Sequence, residues 1–223
     1  MRRASCQNQL HQIGIGLHNY HSAFRSFPTG AIEVRPQVRG GKQYAWSAFV
    51  LPFVEQSALA SQIQYDLPFD DPANVAAASQ SVPLYLCPST PRSEPTRDGR
   101  GASDYGGIYG QRITSTNNPP RGVMIHDRAI AMRDILDGSS HTIAIGEDAD
   151  FPDGQWINGK NLFDQAFSIN RAPKFENDLR SFHPAGVMVA LADGSVRFLN
   201  EQMDLEVLAA MCTRDGRETP SMQ

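Results

Sequence analysis

The sequence predicts an α+β fold in which an N-terminal helix packs on a mainly antiparallel β-sheet with long irregular loops. Three observations predict it. The first 28 residues place apolar side chains at steps of three and four, and the second half carries short β-prone runs between turn residues. The 18 glycines and 15 prolines among 223 residues require many irregular connections. A helix first and strands later gives a sheet that packs on the helix. With 40% hydrophobic residues the chain can build a core, and we read 1–223 as one domain, with the helix in 1–28 and the globular α+β part in 29–223.

In order along the chain, Leu10, Ile13, Leu17, Tyr20 and Phe24 form one apolar stripe, and Pro28 and Gly30 close the helix. Gly14 and Gly16 each weaken an isolated helix by about 1 kcal/mol, so they predict a surface of close approach. Residues 29–43 read as a loop or loose hairpin, and 46–64 as a helical region interrupted at Pro52. Asp71 and Pro72 start a short helix through Ala78. Residues 84–86 read as a strand stopped by Pro88, and 92–104 as a surface loop. Strands are expected in 104–110, 122–125, 142–146, 187–192 and 195–199, and a closing helix in 203–214.

The net charge of -4 and the scattered arginines argue against a nucleic-acid partner. No apolar run reaches the ~18 residues of a membrane span. The three cysteines, Cys6, Cys87 and Cys212, form no CxxC pair. No nucleophile elbow, HExxH, P-loop or dinucleotide fingerprint is present, so no catalytic residue is proposed.

Asp193–Gly194 joins two β-prone runs and signals a type I′ hairpin turn. The intervening strand, about 20 Å long at ~3.3 Å per residue, then separates His183 from Asp193. They cannot share an ion. The return strand brings Asn200, Glu201 and Asp204 toward His183, which is where a polar site on that histidine is expected. The plainer reading is that His183–Pro184 caps the strand. In 147-EDADFPDG-154 the acids Glu147, Asp148, Asp150 and Asp153 are the best candidate for a metal, and calcium suits several hard oxygens on a loop. The plainer reading there is a solvated acidic loop. His11, His18 and His21 share a helix, but no acid stands near them in sequence.

Six segments in order resemble a family of prepilin-like proteins of unknown biochemical role with a C-terminal H-x9-DG signature. They are 2-RRASCQNQLHQIGIGLHNYHSAFRSFPTG-30, 46-WSAFVLPFVEQ-56, Cys87-Pro88-Ser89, 105-YGGIYG-110, 135-ILDGSSHTIAIGE-147, and His183 followed by Asp193 and Gly194. Two departures stand out: His141 replaces a frequent Asn, and the apolar first half of a pilin-type helix is absent. The latter reads as a chain trimmed for solubility.

The resemblance implies a pilin-like ectodomain outside the cytoplasmic membrane, a non-catalytic subunit of a filament or secretion apparatus. Its partners would be similar subunits, and its anchor the missing helix. An extracytoplasmic place permits a Cys6–Cys87 bridge, against two buried thiols, with Cys212 free. The alternative is a surface-displayed solute- or carbohydrate-binding protein, with Trp46, Tyr105, Tyr109 and Trp156 as stacking platforms against a reading of each as core. A metal-dependent hydrolase comes third.

Overall fold

The computed structural model describes residues 2–149 and 151–216. Helix α1 spans Arg2–Phe24 and buries Cys6, Leu10, Ile13 and Leu17 on one face. Farther along, the stripe leaves the core. Tyr20 is half-buried and Phe24 is exposed, and both rings pack on Phe53 instead. Arg25, in the left-handed region at φ 63°, ends the helix three residues before Pro28 by donating its N–H to His21 O at 2.7 Å. The glycines do mark close approach. A Cβ on Gly14 would lie 3.2 Å from Gly194 O, and one on Gly16 would lie 2.4 Å from Val54 Cγ1.

Helix α2 (Trp46–Val50) runs into a 3-10 turn at Leu51–Phe53, and α3 (Ser57–Ala60) follows, so the break falls at Pro52. Asp71 caps the turn that leads into α4 (Val75–Ala78), its carboxylate accepting the Ala73 N–H at 2.9 Å. The expected strand at 84–86 is instead a 3-10 turn, Pro83–Tyr85, because Pro83 presets the first helical φ. The expected loop 92–104 contains a small hairpin of β1 (Thr96–Arg97) and β2 (Arg100–Gly101). Its connecting residues, Asp98 at φ 49° and Gly99 at φ 72°, make the type I′ turn.

The main sheet comprises β3 (Tyr105–Gln111), β4 (Ile143–Glu147), β5 (Leu162–Gln165), β6 (Gly186–Leu191) and β7 (Val196–Asn200), in the order β5-β3-β4-β6-β7. All neighbours are antiparallel except β5, which lies parallel to β3. The fold is therefore α+β with a five-stranded mixed sheet. Residues 122–125 form no strand; Gly122 and Met124 donate to Tyr109 O and Ile108 O, each at 2.9 Å, and Ile125 makes an isolated bridge to Arg128. Helix α5 (Leu205–Met211) closes the described chain, capped by Asp204.

Both faces of the sheet are covered, and β6 shows it residue by residue. Met188, Ala190 and Ala192 join the core shared with α1, while Val187, Val189 and Leu191 join a second core with Leu208, Met211 and Cys212 of the α5 region. A two-residue side-chain period accounts for the division, and burial on both faces accounts for the unbroken apolar run. Among the described residues no helix is long and apolar enough to cross a membrane.

The β6–β7 connection differs from the expected I′ turn. The Gly194 N–H donates to Leu191 O at 2.9 Å and Gly194 alone is left-handed, at φ 84°. This is a three-residue loop, a turn followed by a left-handed glycine. Asp193 Oδ1 stabilises it by accepting the Ser195 N–H at 2.9 Å. Asp193 and Gly194 are thus turn residues, and the turn they make rests on Gly14 of α1.

Candidate functional site

Five chain segments converge on Cys6, Cys87, Glu147 and His183. Helix α1 carries Cys6; the stretch after Pro83–Tyr85 carries Cys87; Glu147 ends β4; and His183 precedes β6. The fifth segment, the start of β3, supplies Asp104 and Tyr105 beneath them, with Tyr105 paired to Glu147 across the sheet. All four side chains are buried, and their ligand atoms lie within 4.8 Å of one another. Among the described residues this is the only group of three or more His, Cys, Asp and Glu able to hold one ion.

Cys6 and Cys87 are joined as a disulfide with Cα atoms 5.3 Å apart, while Cys212 is a buried free thiol. His183 Nε2 sits 3.0 Å from Glu147 Oε1, where an imidazole N–H donates to the carboxylate, and 3.6 Å from Cys87 Sγ. Glu147 Oε2 accepts the Met188 N–H at 2.7 Å. Burial pushes the Glu147 carboxyl above the usual carboxylate range, and the bonds from His183 and Met188 pull it back.

Each member is fixed from behind. The Cys87 N–H donates to Asp104 Oδ2 at 2.7 Å, and Asp104 is ion-paired with Arg92. One turn beyond Cys6, Gln9 donates to Pro83 O and Leu86 O, both at 2.9 Å, and accepts the Tyr105 hydroxyl at 3.0 Å. The His183 N–H donates to Ser181 Oγ, whose hydroxyl donates to Gly186 O at 2.7 Å. A Cβ on Gly186 would fall 2.0 Å from Leu199 O, so glycine is required where the histidine loop enters β6.

The partner of His183 is therefore Glu147, from the neighbouring strand, and not the return strand. Asn200 accepts the Gln202 N–H, Glu201 takes Asn170 and Asp204 caps α5. His183 and Asp193 do lie at opposite ends of β6. The calcium loop is not assembled by its described members. Glu147 faces His183, Asp148 is buried near Arg180, and Asp153 pairs with Lys160 at 3.4 Å; Asp150 lies outside the described residues. Of the four aromatics, Trp46, Tyr105 and Trp156 are core side chains, and Trp156 donates its indole N–H to Gln80 O at 2.8 Å. Only Tyr109 is partly open, its ring tilted by 40° against His126 with centroids 4.6 Å apart. Of the helix histidines, His18 lies beside Gly194 and His21 accepts the Met132 N–H, so neither joins His11 in a ligand set.

Sequence reasoning missed the Glu147–His183 pairing. The signal available was the coincidence of both residues with the ends of the two last resembling segments, and only the strand order turns that into contact.

No curated protein and no solved structure matches the chain. Residues 1–170 and 153–206 match the family model described as a protein of unknown function, DUF1559, also labelled SBP_bac_10, and the chain belongs to that family.

Proposed function

We propose that the chain is the globular part of a pilin-like, non-catalytic subunit held outside the cytoplasmic membrane, anchored through an apolar helix that continues α1 upstream. It serves as a subunit of a filament or secretion apparatus, and its partners are similar subunits. The observation that carries this reading is the setting of α1, a 23-residue helix laid on the β6–β7 hairpin and cross-linked to the body by Cys6–Cys87. A helix clamped in this way transmits its position to the whole head. Ile15 on its outer side and Phe24 at its end are exposed, which suits contact with other subunits. A disulfide fits an oxidising compartment.

The test is to read the gene upstream of codon 1 and to localise the full product with a C-terminal tag. We expect about 20 apolar residues after a basic leader, a membrane or surface-fibre fraction, and a head open to protease in intact cells. A cytosolic product protected from external protease would overturn the reading.

A solute- or carbohydrate-binding role has one observation in its favour. Two adjoining clefts of about 480 and 410 Å³ share Arg35, Asp153 and Lys160, and Tyr109 lines the second. With three of the four aromatics in the core, stacking would rest on Tyr109 alone. The hydrolase reading requires an open coordination position beside a pocket, and the buried four-donor cluster offers it no support.

A further inference from the structure

We propose that Cys6, Cys87, Glu147 and His183 form a redox-gated zinc site: with its thiols reduced the chain holds one Zn²⁺, and with the disulfide formed it holds none.

The donor set is the first argument. Two thiolates, an imidazole and a carboxylate are the ligand types zinc takes, and four protein donors complete a tetrahedral structural site. They are the wrong set for calcium, which takes oxygen. Geometry is the second argument. Zinc bonds of roughly 2.0–2.3 Å in a tetrahedron put ligand atoms about 3.3–3.8 Å apart. Cys87 Sγ and His183 Nε2 are 3.6 Å apart, and His183 Nε2 and Glu147 Oε1 are 3.0 Å apart. All four ligand atoms lie within 4.8 Å of one another; breaking the sulfur–sulfur bond frees the two sulfurs to separate, and side-chain shifts of about an ångström bring the set to the tetrahedral spacing.

The third argument is cost. A disulfide asks nothing of an imidazole or a carboxylate, and apolar neighbours would cover it without desolvating an ionisable pair. Here a histidine and a glutamate are buried against it. The Met188 N–H orients the free oxygen of Glu147, and the Asp104–Arg92 pair fixes the backbone of Cys87. Such partners set the direction of metal ligands.

The chemistry balances with a thiol–disulfide couple as co-reactant. A dithiol gives two electrons and two protons to Cys6–Cys87, producing two cysteine thiols and its own disulfide. Zn²⁺ then binds as the two thiol protons leave, and the imidazole proton between His183 Nε2 and Glu147 Oε1 passes to Nδ1, so that Nε2 is free to ligate as neutral imidazole. In reverse, a disulfide oxidant takes two electrons from the thiolates, the protein disulfide re-forms and Zn²⁺ departs unchanged in oxidation state. Either state ties α1 to the sheet. The linkage differs only with the redox poise around it.

The test uses the whole chain, reduced anaerobically with a phosphine and titrated with Co²⁺ as the visible probe, then with Zn²⁺ as competitor. We expect one equivalent of Co²⁺ with tetrahedral thiolate bands, displacement by Zn²⁺, and no binding to the oxidised chain. Cys87→Ser and His183→Ala should each weaken binding by more than about 100-fold, beyond what loss of an outer partner costs, while Cys212→Ser leaves it intact. A reduced chain that retains its circular dichroism yet gives no cobalt bands overturns the proposal. So does cobalt binding that survives Cys6→Ser and Cys87→Ser, or binding by the oxidised chain. If reduction unfolds the metal-free chain, refolding on one equivalent of metal supports the site and failure to refold overturns it.

Discussion

Asp178 shows how one buried acid sets a pH dependence apart from the candidate site. Its Oδ1 accepts the Ala166 N–H at 2.6 Å and the Phe167 N–H at 3.3 Å, yet among the described residues Oδ2 has no hydrogen-bond partner. Burial raises its pKa to about 6, against those two bonds; Glu176 raises it further and Arg112 lowers it. An acid raised on folding keeps a proton that the unfolded chain has released. Stability therefore falls as pH rises from about 4 through about 6 and is level above, by about 2–3 kcal/mol for this group. Asp178→Asn keeps the accepting oxygen and removes the charge. Denaturant unfolding at pH 4 and pH 7 should show the gap between the two shrink by about that amount in the variant. An unchanged gap would mean that Asp178 ionises in the folded chain as it does in water.

At the scale of elements, what the sequence disclosed follows the range of the force involved. Helix α1, the Pro52 break, the Asp71 cap and most strands of the main sheet come from local periodicity and turn chemistry, and the structure has them. What was illegible depends on pairing. Strand β5 is four residues with Asp164 and Gln165 at its end, a pattern with no apolar alternation to read. Which Asp-Gly pair makes the I′ turn was also illegible, since Asp193 is spoken for by Ser195 while Asp98 is free to go left-handed. The candidate site fell to the same limit. The Cys6–Cys87 bridge was read only through a resemblance, and Glu147 reaches His183 only because β4 pairs β6. Gly16 tests a local signal against a distant one. Alanine gains about 1 kcal/mol of helix propensity, but its Cβ would meet Val54 Cγ1 at 2.4 Å and Val50 Cγ1 at 3.0 Å. Overpacking costs about 1–3 kcal/mol, and branched valines yield little, so Gly16→Ala should destabilise by about 1 kcal/mol or more. Adding Val54→Ala should recover part of that loss in a double-mutant cycle. Gly16→Ala stabilising by itself would mean that α1 does not sit this close to Val54.

For the whole molecule the question is what keeps α1 on the body. Its buried stripe ends at Leu17, and the disulfide stands near the opposite end at Cys6, so packing and cross-link hold different stretches of one helix. The bridge spans 81 residues of chain, across the helices and turns that cover one sheet face. In the chain-entropy account a loop of that length stabilises by about 4–5 kcal/mol, because the unfolded chain loses the freedom that the loop would otherwise have. A domain of this size shifts its melting temperature by about 2–4 °C per kcal/mol. Reduction in the presence of a chelator, which keeps metal from replacing the bridge, should therefore lower the melting temperature by about 10 °C or more. Hydrogen exchange should open first in the N-terminal turns of α1 around Cys6, with β6 the last to exchange because both its faces are buried. A fall of only a degree or two would show that Leu10, Ile13 and Leu17 hold the helix by packing alone. The head would then keep its grip on α1 in a reducing compartment without help from the cysteines.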